Sequence, residues 1–143
     1  MAAIRRANAV WEGDLMKGNG KVSAASSQAF TDLAVTWASR TEEPNGRTSP
    51  EELIAAAHAS CYCMALSNGL AKAGTPPQKL EVSAAVTFDP PNVTSSALTV
   101  RGWVQGIDAA AFKQAAETAK DGCPVSKALH GNVELSVEAT LVS

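Results

Sequence analysis

The chain has 143 residues, 45% of them apolar and 18% charged, with a formal net charge of −2. That length supports one domain, residues 1–143, with a substantial core, and is too short for two independent ones. The evenly mixed, near-neutral charge excludes an electrostatic footprint for nucleic acid or for an anionic membrane. The opening MAAIRRANAVWEGD has two arginines but no apolar run behind them, so no secretory signal is read and a cytoplasmic location is expected. In a reducing compartment the three cysteines are reactive or buried thiols, not a disulfide framework.

Taken in chain order, residues 4–11 (IRRANAVW), 21–25 (KVSAA) and 31–39 (TDLAVTWAS) are predicted strands. The hinge from Glu12 to Gly20 is rich in Gly, Asp and Lys, and the loop from Arg40 to Thr48 holds the turn cluster Pro44, Asn45 and Gly46. A long helix follows. Ser49 is its candidate N-cap, Pro50 suits the first helical position, and Glu52 completes a capping box. Glu51 sits in the first turn, where the helix dipole favours a carboxylate. The helix is expected to run to Lys72 and stop at Gly74, with Pro76 and Pro77 barring continuation. Between Glu52 and Lys72 it carries no charge, the pattern of a helix enclosed by protein, and its Glu, His and Ser leave it short of a membrane span.

Residues 79–89 and 94–105 are two longer predicted strands joined at Pro90, Pro91 and Asn92. Asp108 caps a helix over Ala109 to Lys120, Gly122 ends it, and Pro124 opens a short helix to Leu129. Gly131 releases the chain into a last strand, Val133 to Val142, with strict alternation of apolar and polar residues. This order predicts an α+β fold, antiparallel sheet packed on a central helix.

Two cysteines draw the chemistry. Cys61 lies in the middle of the long helix, where it is either a small buried hydrophobe or a reactive thiol. Cys63, two positions on, points to the other side, cannot share a disulfide or a metal with Cys61, and is read as the packing cysteine. Cys123 stands just before Pro124 at a helix start, where free N–H groups lower a thiol's pKa, and Gly122 before it favours a mobile thiol. His58 lies one turn before Cys61, which raises a Cys–His hydrolase or acyl transferase as an alternative. With no third orienting residue in view, a packed or hydrogen-bonded histidine is the preferred reading. A binding module in which every cysteine only packs is a further alternative. The Cys and His spacing matches no zinc pattern, so neither metal nor cofactor is expected.

The segments SPEELIAAAHASCYCMALS and GCPVSKAL, with the opening WEGDLMKGNGKVS, together resemble the OsmC branch of the OsmC/Ohr family of thiol-dependent peroxidases, over essentially the whole chain. Tyr62 and Cys63 depart from the commoner residues at their positions. The resemblance implies an intertwined homodimer with antiparallel sheets wrapped around a long central helix, and reduction of organic hydroperoxides by a dithiol of dihydrolipoyl type. By matching positions it implies Cys61 as peroxidatic cysteine, Cys123 as resolving cysteine, and Arg40 with Glu51 as the supporting pair, Arg47 being a rival arginine. Glu51 and Cys61 are ten residues apart, about 15 Å along one helix, too far for that carboxylate to serve its own Cys61. The expectation is therefore a site completed by the partner chain.

Overall fold

Alternating residues open the chain as a small meander. In the computed structural model, which describes residues 1–143, β1 (Ala7–Glu12), β2 (Asn19–Ala24) and β3 (Leu33–Val35) form an antiparallel sheet in that order. Trp11 pairs with Gly20 across the first two strands. A Cβ on Gly20 would come within 2.6 Å of the Trp11 ring, so only glycine lets the indole lie against β2.

The third predicted strand is cut short. Thr36 and Ser39 form a reciprocal cap, each side-chain oxygen accepting from the other's backbone N–H at 3.0 Å, and this starts helix α1 (Trp37–Thr41). Arg40, read from sequence as a loop residue, is in the last turn of that helix. The β-rich composition of residues 31–39 hid a local cap strong enough to reverse it.

Helix α2 (Pro50–Lys72) matches its predicted bounds. Ser49 Oγ accepts from Glu52 N at 3.1 Å, but the Glu52 carboxylate accepts from the Thr48 hydroxyl at 2.7 Å, so half of the expected capping box forms. Past Lys72 the backbone turns at Gly74, with φ of 90°, and Thr75 N donates back to Leu70 O at 2.9 Å.

The residues group into two compact units, Met1–Leu53 and Ile54–Ser143, with the start of α2 in the first and the rest of it in the second. In the second unit β4 (Lys79–Asp89) and β5 (Asn92–Trp103) form a long antiparallel hairpin. Beyond β5 come α3 (Ala109–Gly122), α4 (Pro124–Leu129) and β6 (Glu134–Leu141). β6 runs parallel to β5, which corrects the expectation of a wholly antiparallel sheet. The two helices supply the crossover that parallel neighbours require.

The core lies in this second unit. It joins Tyr62, Leu66 and Leu70 of α2 to Leu98 and Val100 of β5, and to Phe112, Ala116 and Ala119 of α3. A Cβ on Gly102 would overlap the Phe112 ring. Gly102→Ala is therefore expected to destabilise the protein by about 1–3 kcal/mol, read as a lower urea midpoint at unchanged slope.

Helix α2 departs from expectation on one point. His58, Tyr62, Leu66 and Leu70 recur every four residues and form one buried stripe. The flanks are open: Ala56 and Ala57 are exposed, and Met64 is 70% exposed. Within one chain the helix is thus covered on a single side, not enclosed. By length and composition it also meets the bounds for crossing a bilayer, which its sequence reading denied it. The buried stripe, with a histidine and a tyrosine both hydrogen-bonded to protein, is that of a core helix.

Candidate active site

Cys61 projects from α2, and Cys123 stands at the junction where α3 ends and α4 begins. Both are free thiols; Cys61 packs against the core cluster that includes Cys123, and each thiol shifts the ionisation of the other. Cys61 is partly buried and packs at the edge of the core, while Cys123 is fully buried. Cys123 is the N-cap of α4, where the sequence placed it, but it is buried, against the expectation of a mobile thiol. Cys123 N donates to Ala119 O at 2.8 Å, and its own carbonyl accepts from Lys127 N at 3.0 Å, so the residue is tied into both helices.

The two thiols sit in different electrostatic environments. Burial pushes the Cys61 thiol up, the Val125 amide pulls it partly back, and the neighbouring Cys123 raises it again. Burial also acts against the Cys123 thiolate. There the Ser126 amide, the Cys61 S–H, the Ser126 hydroxyl and the Val125 amide together outweigh it and hold the thiol below its ordinary value. The sulfur closes no regular capping hydrogen bond. Within one chain the negative charge therefore rests more readily on Cys123.

His58 is no base for Cys61. Its ring is fully buried, with Nδ1 2.6 Å from Ser96 Oγ and Nε2 2.8 Å from Ser126 Oγ, so both nitrogens are occupied. This removes the Cys–His hydrolase alternative and bears out the hydrogen-bonded histidine. Burial lowers its pKa below the ordinary 6.5, so the folded state resists a proton that the unfolded state accepts. The associated stability is present above about 6.5 and is lost as pH falls through the lower folded value. Melting temperature is accordingly expected to decline in that window, and more shallowly in His58→Gln, whose amide does not titrate.

Arg40 and Glu51 meet within the first unit. Arg40 Nε lies 3.0 and 3.2 Å from the two Glu51 oxygens, and Nη2 lies 2.9 Å from Oε2, a bidentate pair that fixes the guanidinium plane. Glu51 is 7% exposed, whereas the Arg40 side chain keeps 28% of its surface. The guanidinium also stands over Trp37, 5.8 Å from the ring centroid. The rival Arg47 is exposed. Every residue from Glu51 to Cys61 is helical, as the spacing argument assumed. Trp11, Leu15, Val35, Trp37, Arg40 and Pro50 line an apolar cavity of about 350 Å³ in this same unit.

Cys63 is not the core cysteine of the pair. It lines a surface groove with Met64 and Ser67, and Cys61 packs against the core instead. Sequence reasoning missed Ser96 and Ser126. The Cys-Pro-Val-Ser spacing, a polar side chain three residues after a helix start, signals Ser126. Nothing local marks Ser96, which a strand brings to His58 from 38 residues away.

A paired-thiol site, one sulfur on a long helix and the other in a two-helix crossover, defines an α+β protein with two interacting cysteines. A family profile described as OsmC-like protein matches residues 43–138, and the chain belongs to that family. It is 38% identical to Peroxiredoxin OsmC of Escherichia coli (strain K12) over 142 residues, covering 96% of this chain and 98% of the relative. It is 29% identical to Organic hydroperoxide resistance protein OhrA of Bacillus subtilis (strain 168), covering 83% and 86%. Among solved structures, an organic hydroperoxide resistance protein from Elizabethkingia anophelis superposes with a TM-score of 0.71 at 20% identity, covering 99% of each chain. An OsmC-like protein from Mycoplasma pneumoniae gives 0.70 at 14% identity over 100% of each. These two share the fold.

Proposed function

We propose that the chain is a cysteine-based thiol peroxidase that reduces organic hydroperoxides to alcohols in defence against oxidative stress. The observation that carries this is a pair of free thiols, Cys61 packed against the core cluster that includes Cys123, in a member of the OsmC-like family. The names of the relatives, a peroxiredoxin and an organic hydroperoxide resistance protein, agree with it.

Cys61 is the peroxidatic residue in this reading. Its thiolate attacks the peroxide, the O–O bond breaks, and the alkoxide leaves with a proton as the alcohol while Cys61 becomes a sulfenic acid. Cys123 then attacks the Cys61 sulfur, hydroxide departs as water, and a Cys61–Cys123 disulfide remains for an external dithiol of dihydrolipoyl type to reduce. Burial opposes ionisation of Cys61, so a cation is required at the site. Arg40, oriented by Glu51, supplies it from a second copy of the chain, and the apolar cavity beside Arg40 receives the organic tail.

An intertwined homodimer follows from this assignment. Three strands with Val10, Trp11 and Leu33 exposed and an uncovered flank on α2 support a second copy as the cover. The protein is read as soluble and cytoplasmic. The test is turnover of cumene hydroperoxide with a dithiol, wild type against Cys61→Ser; an active Cys61→Ser protein overturns the assignment.

A further inference from the structure

Beyond the two thiols lies a buried polar chain that the peroxidase chemistry above does not use. Ser96 of β5, His58 of α2 and Ser126 of α4 are all fully or almost fully buried, and they touch in that order at 2.6 and 2.8 Å. Ser126 is the third residue of α4, in the turn that follows its N-cap Cys123, and its hydroxyl favours the Cys123 thiolate. We propose that Ser96, His58 and Ser126 are positioning residues for Cys123, a one-way chain of hydrogen-bond donors that aims the Ser126 proton at its sulfur and decides which sulfur leaves when the disulfide is reduced. The proposal rests on the two-thiol reading given above.

Proton counting sets the direction. A Cys123 thiolate has no proton to give, so the Ser126 hydroxyl donates to it. That hydroxyl has one proton, so toward His58 its oxygen accepts, and Nε2 carries the hydrogen. A neutral imidazole has a single N–H, which leaves Nδ1 bare to accept the Ser96 O–H. Burial keeps the ring neutral. All three donors therefore point toward the sulfur, and each bond polarises the next. The other titratable group that acts on Cys123 is Cys61, on α2, and Cys123 in turn acts on Tyr62 of the same helix. Facing His58 are the Ser96 hydroxyl from β5 and the Ser126 hydroxyl from α4.

The consequence falls on the reductive step. Cys61 is partly exposed and Cys123 is buried, so an incoming thiolate reaches the Cys61 sulfur. A bond forms between the reductant's sulfur and Cys61, the Cys61–Cys123 bond breaks, and its electron pair goes to Cys123. Cys123 leaves as a thiolate into the end of the donor chain, with no proton needed in that step. The reductant's second thiol then attacks its own sulfur in the mixed disulfide, which closes the reductant's disulfide and frees the Cys61 thiolate. A lower leaving-group pKa speeds such exchange.

The test follows the ultraviolet absorbance of the Cys123 thiolate against pH in a Cys61→Ser, Cys63→Ser background, where Cys123 is the one thiol. Ser126→Ala is expected to raise the midpoint by about one unit. His58→Leu should raise it too, and His58→Gln, which keeps a donor toward Ser126, should raise it less. An unmoved midpoint in folded Ser126→Ala and His58→Leu proteins overturns the proposal. A second measurement needs no variant. The wild-type disulfide is formed with diamide and treated with a bulky monothiol, and mass spectrometry locates the adduct. An adduct on Cys61 is expected, and one on Cys123 overturns the proposal. Because diamide makes the disulfide, this holds whether or not peroxide does; a disulfide formed by diamide but never by an organic hydroperoxide sinks the peroxidase reading alone.

Discussion

Cys61→Ser is expected to lower dithiol-dependent turnover of cumene hydroperoxide at least about a thousandfold, because a serine hydroxyl is not appreciably ionised near neutral pH and cannot attack the O–O bond. Cys123→Ser should behave differently. With its nucleophile intact it still consumes one equivalent of peroxide per site and forms a sulfenic acid that dimedone traps. It then stalls with a dithiol that depends on the disulfide, and recovers partly with a small monothiol able to reach Cys61 directly. Cys63→Ser, at a surface groove away from the thiol pair, serves as the comparison. The informative contrast is between single and multiple turnover. If Cys123→Ser matches wild type in multiple turnover with the dithiol, Cys123 is not the resolving residue, whatever its effect on the ionisation of Cys61.

The second expected result concerns where the arginine comes from. Arg40→Met removes the cation and should lower turnover about a hundredfold, by loss of one charged donor at the reacting centre. In a composite site, co-expressing Arg40→Met with Cys61→Ser restores activity, because each mixed dimer holds one site with both groups intact. Random pairing gives about a quarter of wild-type activity. No recovery from a folded, mixed dimer would place Arg40 elsewhere, and a fully active monomer would end the composite reading. The same pair predicts an asymmetry in stability. Arg40→Met strands a buried Glu51 carboxylate and should cost about 3 kcal/mol. Glu51→Gln leaves a partly exposed guanidinium that water can reach, so its loss should be smaller.

Local signals in the sequence were legible where the chain carries its own punctuation. Ser49, Pro50 and the Gly74 turn bounded α2, Asp108 capped α3, and alternation marked β4 and β6. Pairings of distant residues were not legible. The parallel placement of β6 depends on where a crossover delivers it, and the Ser96–His58 contact on a strand and a helix meeting face to face. The α1 error has another cause: β-branched and aromatic residues suggested a strand, and a three-residue reciprocal cap overrode them. The thiol pair itself came from motif resemblance, since periodicity alone left Cys61 as ordinary packing. Cys63 was given that role because two helical positions set it opposite Cys61, which is correct geometry; the open flank of α2 then left it at a groove.

The crossover between β5 and β6 makes the length of α3 a ruler. Both ends of the segment carrying Cys123 are anchored to neighbouring strands of one sheet, and the sulfur stands at the joint between its two helices. Adding or deleting one residue in α3 turns everything after it by about 100°. Such a change swings the sulfur off its line to Cys61 even though no side chain of the pair is altered. The tip of the β4–β5 hairpin has no such constraint. A change in chain length is therefore expected to be tolerated at the hairpin and to disrupt the thiol pair when made in α3.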